Sequence, residues 1–236
     1  MAGHGKKRHL KRPNLPVWSR LARKGSTLWL MKSLPGKHSM RESVSLLMLL
    51  RDKLSIVENA RQARKILSAG EVLVDGVNVK KLGLPVGLMD LVSIPKLDAC
   101  YRISVSKKGL ELKPIKQSDA GVKYCRIVGK TVSGKGKVQL NLHDSRNVLI
   151  EKEEDRFKVG DTIVLSIPKQ EIKGFLKMEK GAKCLVFKGK HAGKTGVLEE
   201  IMSREGSKPS DARLSANGES IITLKDYLMV VDDNLA

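Results

Sequence analysis

The clearest change of periodicity in the chain lies in residues 59–79, NARQARKILSAGEVLVDGVNV. Through Leu67 the apolar positions recur at helical spacing, with Ala60, Ala63, Ile66 and Leu67 on one side. Gly70 is placed to end that helix in a left-handed turn. From Val72 the pattern alternates like a strand and breaks at Asp75-Gly76, a pair that supplies the positive φ angles of a two-residue hairpin turn. Upstream, Ser39-Met40-Arg41-Glu42 fits a capping box, with Ser at the N-cap and Glu three residues on. The following SVSLLMLLRDKL predicts a helix whose apolar face is Val44, Leu47, Met48, Leu50 and Leu54. Ser55-x-x-Glu58 is a second start signal, and a third strand is expected at residues 91–94 after the turn VGLMD. Residues 42–98 thus read as two helices packed on a small twisted sheet.

The remainder alternates in short runs and predicts strands. CYRISVSKKGLELKPI reads as a hairpin turning at Lys-Lys-Gly. VKYCRIVGKTVSGKGKVQLNLHD follows, with a turn at Gly134-Lys135-Gly136, and FKVGDTIVLSIP gives another strand. Residues 99–178 are accordingly expected to form an all-β central domain. In residues 179–236 the alternation through Cys184 and Val186 breaks at Lys188-Gly189-Lys190-His191-Ala192-Gly193-Lys194 and resumes at Gly196-Val197-Leu198. Two strands joined by a Gly-rich loop aim Lys188, Lys190 and Lys194 outward. The loop is not a nucleotide-binding P-loop. Its glycines are one residue too close, and strand rather than helix follows. The fold class is therefore α+β and multi-domain.

Charge changes the picture. The 236 residues hold 45 Lys and Arg against 25 Asp and Glu, a formal charge of +20. That excess calls for a polyanionic partner, nucleic acid ahead of an anionic membrane surface. The longest apolar run, residues 46–50, is far too short to span a bilayer. The basic N-terminus has no apolar run behind it, so it is not a secretory signal. Residues 1–41 carry +11 with no acidic residue, leaving +9 for the other 195. This arm also holds both tryptophans, Trp18 and Trp29, and three of the five histidines. Too basic to fold alone, it is expected to order on binding, its cations along phosphates and its aromatics docked on protein or on a base. The expected RNA contacts there are Lys6, Lys7, Arg8, His9, Lys11, Arg12, Trp18, Arg20, Arg23, Lys24, Lys37, His38 and Arg41. If about half of the arm's cations meet phosphate, they alone give a slope of log K against log salt of roughly −4.

Candidate chemistry is sparse. Cys100, Cys125 and Cys184 lack metal-ligand spacing, and three is not a disulfide framework. They read as small core residues in a reducing compartment. In NLHDSRN, His143 and Asp144 sit in a polar turn, not a catalytic dyad, and Arg146 adds one RNA contact. Glu151, Glu153, Glu154 and Asp155 are a solvated charge run. No metal, cofactor, small-molecule substrate or catalytic residue is expected.

NARQARKILSAGEVLVDGVNV and the later VGLMDLVSIP resemble the small RNA-binding fold named after ribosomal protein S-four, found also in RNA pseudouridine synthases and tyrosyl-tRNA synthetases. That resemblance implies that Arg61, Arg64 and Lys65 contact structured RNA. Residues at i, i+3 and i+4 do share a helix face. GAKCLVFKGKHAGKTGVLEEI resembles the KOW motif of ribosomal proteins and elongation factors, which implies a small SH3-like β-barrel. The arm sequences KRHLKRPNLPVW and LPGKHSMRES, the RNA-binding fold, LNLHDSRN and the KOW-like element together resemble the small-subunit ribosomal protein family S-four-e, of archaeal type. The resemblance implies a structural constituent of the small ribosomal subunit in the cytoplasm, bound to ribosomal RNA and neighbouring ribosomal proteins. Two other readings are a non-ribosomal RNA-binding or RNA-modification accessory protein, and a DNA-binding factor. The first needs a catalytic domain with a placed base or nucleophile, and the second a base-reading helix longer than residues 61–68.

Overall fold

The computed structural model of the chain describes residues 9–19, 21, 24–25, 27–133, 136–204, 209–216 and 218–232, apart from the side chain of Glu154. The chain divides into two compact units: residues 1–103 with 110–117, and residues 104–109 with 118–236. Among the described residues strands take 44% and helical turns of all kinds 17%, so the fold is mostly β, with its α-helices confined to the first unit. Among the described residues no helix is long and apolar enough to cross a membrane.

The first unit begins with a two-stranded ribbon, β1 (Leu10–Lys11) against β2 (Trp29–Leu30). β3 (Ser43–Ser45) leads into α1 (Leu46–Met48), which continues as a π-helical turn at Leu49–Lys53. α2 (Ala60–Ser68) follows, then β4 (Leu73–Val74), β5 (Val77–Asn78), β6 (Pro85–Gly87), β7 (Leu91–Ile94), β8 (Ala99–Ser106) and β9 (Gly109–Ile115). β3 pairs with β6, and the main sheet has the order β5-β4-β7-β8-β9. The expected central domain began at residue 99, but β8 pairs with β7 through Leu91–Arg102 to Ile94–Ala99, so this hairpin extends the first sheet.

The expected first helix forms over Leu46–Lys53, but it starts later than the sequence signal predicts. Its proposed cap, Ser39, instead makes a turn: Glu42 N–H donates to Ser39 O at 3.0 Å and Ser43 Oγ donates to the same carbonyl at 2.8 Å. Residues 43–45 are drawn into pairing with β6, and Ser45 Oγ donates to Met31 O at 3.0 Å. The helical stretch from Leu46 is buried nearly all round through Leu50, which explains why its apolar run is continuous rather than striped. The second start signal is displaced too. Ser55 has φ 53°, and the N-cap is Asn59, whose Oδ1 accepts from Gln62 N at 3.1 Å. Gly70 (φ 74°) ends α2, and Asp75 (φ 52°) with Gly76 (φ 71°) makes the hairpin turn, both as the sequence predicts.

In the second unit, β10 (Val122–Ser133) is the longest strand, followed by β11 (Lys137–Leu142), β12 (Asn147–Glu151), β13 (Thr162–Ser166) and β14 (Ile172–Leu176). β10 pairs with β13 through its first half and with β11 through its second, with a register shift between Ile127 and Gly129. Gly134 and Lys135, the expected turn, lie outside the described residues. A second five-stranded sheet, order β18-β17-β16-β15-β19, comprises β15 (Lys183–Val186), β16 (Thr195–Met202), β17 (Asp211–Ala216), β18 (Glu219–Leu224) and β19 (Leu228–Val230). Each sheet has its own apolar cluster, centred on Ile127, Leu140 and Leu165 in one and on Val186, Leu198 and Leu214 in the other. All three cysteines are buried and free, as expected of core residues.

One charged group is built into the first of these cores. Lys123 and Asp144 are both fully buried, with Nζ 2.9 Å from Oδ2, and Arg146 Nε lies 3.2 Å from the same oxygen. Burial by itself raises the Asp144 pKa. The charge of Lys123, with His143, the Lys123 hydrogen bond and Arg146, outweighs it and holds the carboxyl below the ordinary 3.8. A depressed pKa contributes stability that is present above the unfolded value and is lost as pH falls through the folded one. Lys123→Met removes the ammonium from the buried carboxylate, leaving its Arg146 contacts, and is expected to cost about 3 kcal/mol in urea unfolding at neutral pH. In wild type the same measurement repeated downward from pH 5 is expected to show stability falling below about pH 4, and Lys123→Met to weaken that dependence.

Candidate nucleic-acid interface

The expected RNA contacts divide sharply by burial. Arg61, Arg64 and Lys65 are exposed on α2, whose opposite side buries Ala63 and Leu67 completely. No carboxylate lies within ion-pair distance of the three among the described residues. The Asn59 cap fixes the start of this helix, while Glu58 N–H donates to Gln62 Oε1 at 2.9 Å. The cationic face is thereby held at a set angle above the apolar one. Lys80 and Lys81, just after β5, are exposed as well.

Four other residues expected on RNA face carboxylates of the chain itself. Arg12 is buried. Its Nε donates to Thr27 O and its Nη2 to Thr27 Oγ1, both at 2.8 Å, and Nη2 lies 2.9 Å from Asp52 Oδ1. The other Asp52 oxygen receives Arg51 at 2.8 and 3.1 Å. His38 Nε2 lies 3.0 Å from Asp90 Oδ2, which also accepts from Gly87 N. A Cβ on residue 87 would come within 2.5 Å of the His38 ring, so only glycine admits this histidine. Arg146 is mostly buried against Asp144. Lys37 is half-buried and pairs with Asp75 Oδ2, while Asp75 Oδ1 accepts from Leu91 N at 3.0 Å. Arg12, Lys37 and His38 look like phosphate ligands in the sequence because the carboxylates that face them lie far away along the chain. Leu10, Leu15 and Leu30 are buried too, so the described part of the arm is packed on protein rather than awaiting RNA to order it.

The rest of the arm is more open. His9, Lys11, Lys24 and Arg41 are exposed and Trp18 is half-buried. Lys6, Lys7, Arg8, Arg20 and Arg23 lie outside the described residues. In the terminal sheet the loop between β15 and β16 closes through Gly193 N donating to Val186 O at 2.7 Å. Lys190 is exposed, Lys194 is exposed 3.3 Å from Glu219, and half-buried Lys188 lies 5.6 Å from the Phe187 ring.

Residues 46–92 match the S4 domain, and residues 91–172 match the ribosomal family S4e. The small ribosomal subunit protein eS4 of Methanocaldococcus jannaschii is 45% identical over 99% of this chain and 97% of its own length. The chain belongs to the ribosomal S4e family. The eS4 protein of Methanothermobacter thermautotrophicus is 42% identical over 98% of this chain and 95% of its own. The crystal structure of the 30S ribosomal protein S4e from Thermoplasma acidophilum matches with a TM-score of 0.70 at 30% identity, covering 80% of this chain and 95% of that one.

The charge of this S4e chain is uneven beyond the arm. Residues 99–178 hold 17 Lys and Arg against nine acids, whereas residues 179–236 hold nine of each. Lys107 and Lys108 at the β8–β9 turn, with Lys113 and Lys116, are exposed and were not among the expected contacts. The signal was the +8 of that segment. The group Cys125, His143 and Asp144 brings one potential metal-ligand atom from each within 4.8 Å. Lys123 already supplies the cation at Asp144, and Arg126 N donates to His143 Nδ1 at 3.2 Å, so this group is a core ion pair. Burial pushes the Cys184 thiol up to about 12, which keeps it protonated and inert.

Arg12→Met is expected to lower stability by about 1.5–3 kcal/mol, the range for hydrogen bonds to charged groups. Thermal unfolding of the variant beside Arg61→Gln checks it, since the exposed α2 site is expected to change stability by less than about 0.5 kcal/mol.

Proposed function

We propose that the chain is a structural, non-catalytic constituent of the small ribosomal subunit that holds ribosomal RNA through several separate cationic surfaces. It acts in the cytoplasm, in translation, and has no small-molecule substrate. The observation that carries the reading is the face of α2. Arg61, Arg64 and Lys65 project from a capped helix without carboxylate partners among the described residues, in a chain of formal charge +20. Such a row meets phosphate oxygens, and Arg forks suit them in particular. The turn lysines Lys107 and Lys108, the loop lysines Lys188, Lys190 and Lys194, and the open part of the arm supply further grips. Linked weak contacts multiply when all reach one RNA, so none needs a deep pocket. On this reading the arm (1–41), the helix-helix-hairpin segment (42–98), the central β segment (99–178) and the KOW-like segment (179–236) act as successive modules, whatever sheet each strand joins. Neighbouring ribosomal proteins are the second class of partner.

The test is binding to a small-subunit ribosomal RNA transcript across a salt series, with duplex DNA of equal length as competitor. Arg61→Glu with Arg64→Glu, its fold checked by circular dichroism, is expected to lose about 3 kcal/mol or more of affinity. Its salt slope is expected to shrink by about one to two. Equal affinity of the wild type for RNA and DNA would sink the ribosomal reading.

A further inference from the structure

Trp29 is 55% exposed, unusual for the largest apolar side chain in a chain with only two tryptophans. The ribbon holds it there. Leu10 pairs with Leu30 across β1 and β2, and both are buried, so the next cross-strand pair, Lys11 with Trp29, is turned to the other side. Arg12, the residue after Lys11, is fixed by Thr27 and Asp52, and its N–H donates to Leu28 O at 2.9 Å. Both strands are therefore clamped immediately beside the indole. Beside the indole, Lys11 Nζ lies 5.2 Å from the ring centroid, and the His9 ring lies 5.6 Å away at 70°.

We propose that Trp29 is a stacking platform for an unpaired nucleobase of the bound RNA, with Lys11 and His9 beside the adjoining phosphate. This deepens the RNA-binding reading above and rests on it. An exposed aromatic on a rigid backbone, with a cation beside it, is the arrangement that takes a single-stranded base: stacking supplies contact with any base, and the cation meets the backbone. An RNA strand is favoured over a protein surface because the Lys11 ammonium beside the indole, in a chain of formal charge +20, offers a phosphate its partner.

Fluorescence and affinity test it in the full chain. In a Trp18→Phe background Trp29 is the sole tryptophan. Its emission is expected to be quenched by an adenosine dodecamer RNA and hardly at all by an abasic strand with the same number of phosphates. Against a small-subunit ribosomal RNA transcript, Trp29→Ala in that background is expected to bind about 5- to 100-fold more weakly with an unchanged salt slope. Trp29→Phe is expected to recover part of the loss. Equal quenching by the abasic strand, or transcript binding untouched by Trp29→Ala, overturns the platform while leaving the wider reading intact; in that event protein-dependent protection of Trp29 in the assembled subunit marks a protein contact instead. A wild-type chain that ignores the transcript overturns both.

Discussion

The fold depends on carboxylates that have been taken inside. Asp75, Asp90, Asp144 and Asp161 are buried in a chain with an excess of 20 positive charges. Each is matched to a cation or to backbone N–H groups. Asp90 receives His38 and Gly87 N, Asp75 receives Lys37 and Leu91 N, and Asp161 receives Lys158 N and Met178 N at 2.8 and 2.9 Å. A polycation repels itself on compaction. Pairing a minority of its bases with interior acids removes part of that repulsion and fixes register, since a buried carboxylate left without partners is strongly destabilising. Other bases stay outside, and those without a carboxylate of their own among the described residues, such as Arg61, Arg64 and Lys65, are open to an external anion. Sorting cations into inward clamps and outward grips is the step from this sequence to its function.

The arm illustrates the sorting. Its sequence has no acid of its own, and composition alone makes it a tail. The acids that order it come from elsewhere in the first unit: Asp52 after α1, Asp75 in the hairpin turn and Asp90 before β7. Those contacts span 38 to 52 residues of chain. Pairing over such separations leaves no periodic trace, which is why Arg12 and His38 look like phosphate ligands until the fold is known. The expected ordering on RNA is thus replaced, for the described residues, by ordering on protein.

Local signals fared better. The hairpin at Asp75-Gly76, the glycine ending α2, the strand at Leu91–Ile94 and the loop between Cys184 and Gly196 were legible because turn residues and alternation act over a few positions. The exposed row of α2 was legible for the same reason, since one helical period fixes which residues share a face. The first helix was legible in place but not in its start: a capping signal at Ser39 lost to sheet pairing of residues 43–45, a tertiary override of local preference. Lys123 and Asp144 were missed because a strand lysine and a turn aspartate each have an ordinary solvent reading by themselves. Only the pairing of β10 with its neighbours brings them together in the core.

Mapping which side chains cross-link to RNA in the assembled small subunit tests the sorting directly. The account predicts cross-links at Arg61, Arg64 and Lys65 and at the turn lysines Lys107 and Lys108, with none at Arg12, His38 or Lys123. Cross-links concentrated at those three inward residues, with the α2 row silent, would contradict it.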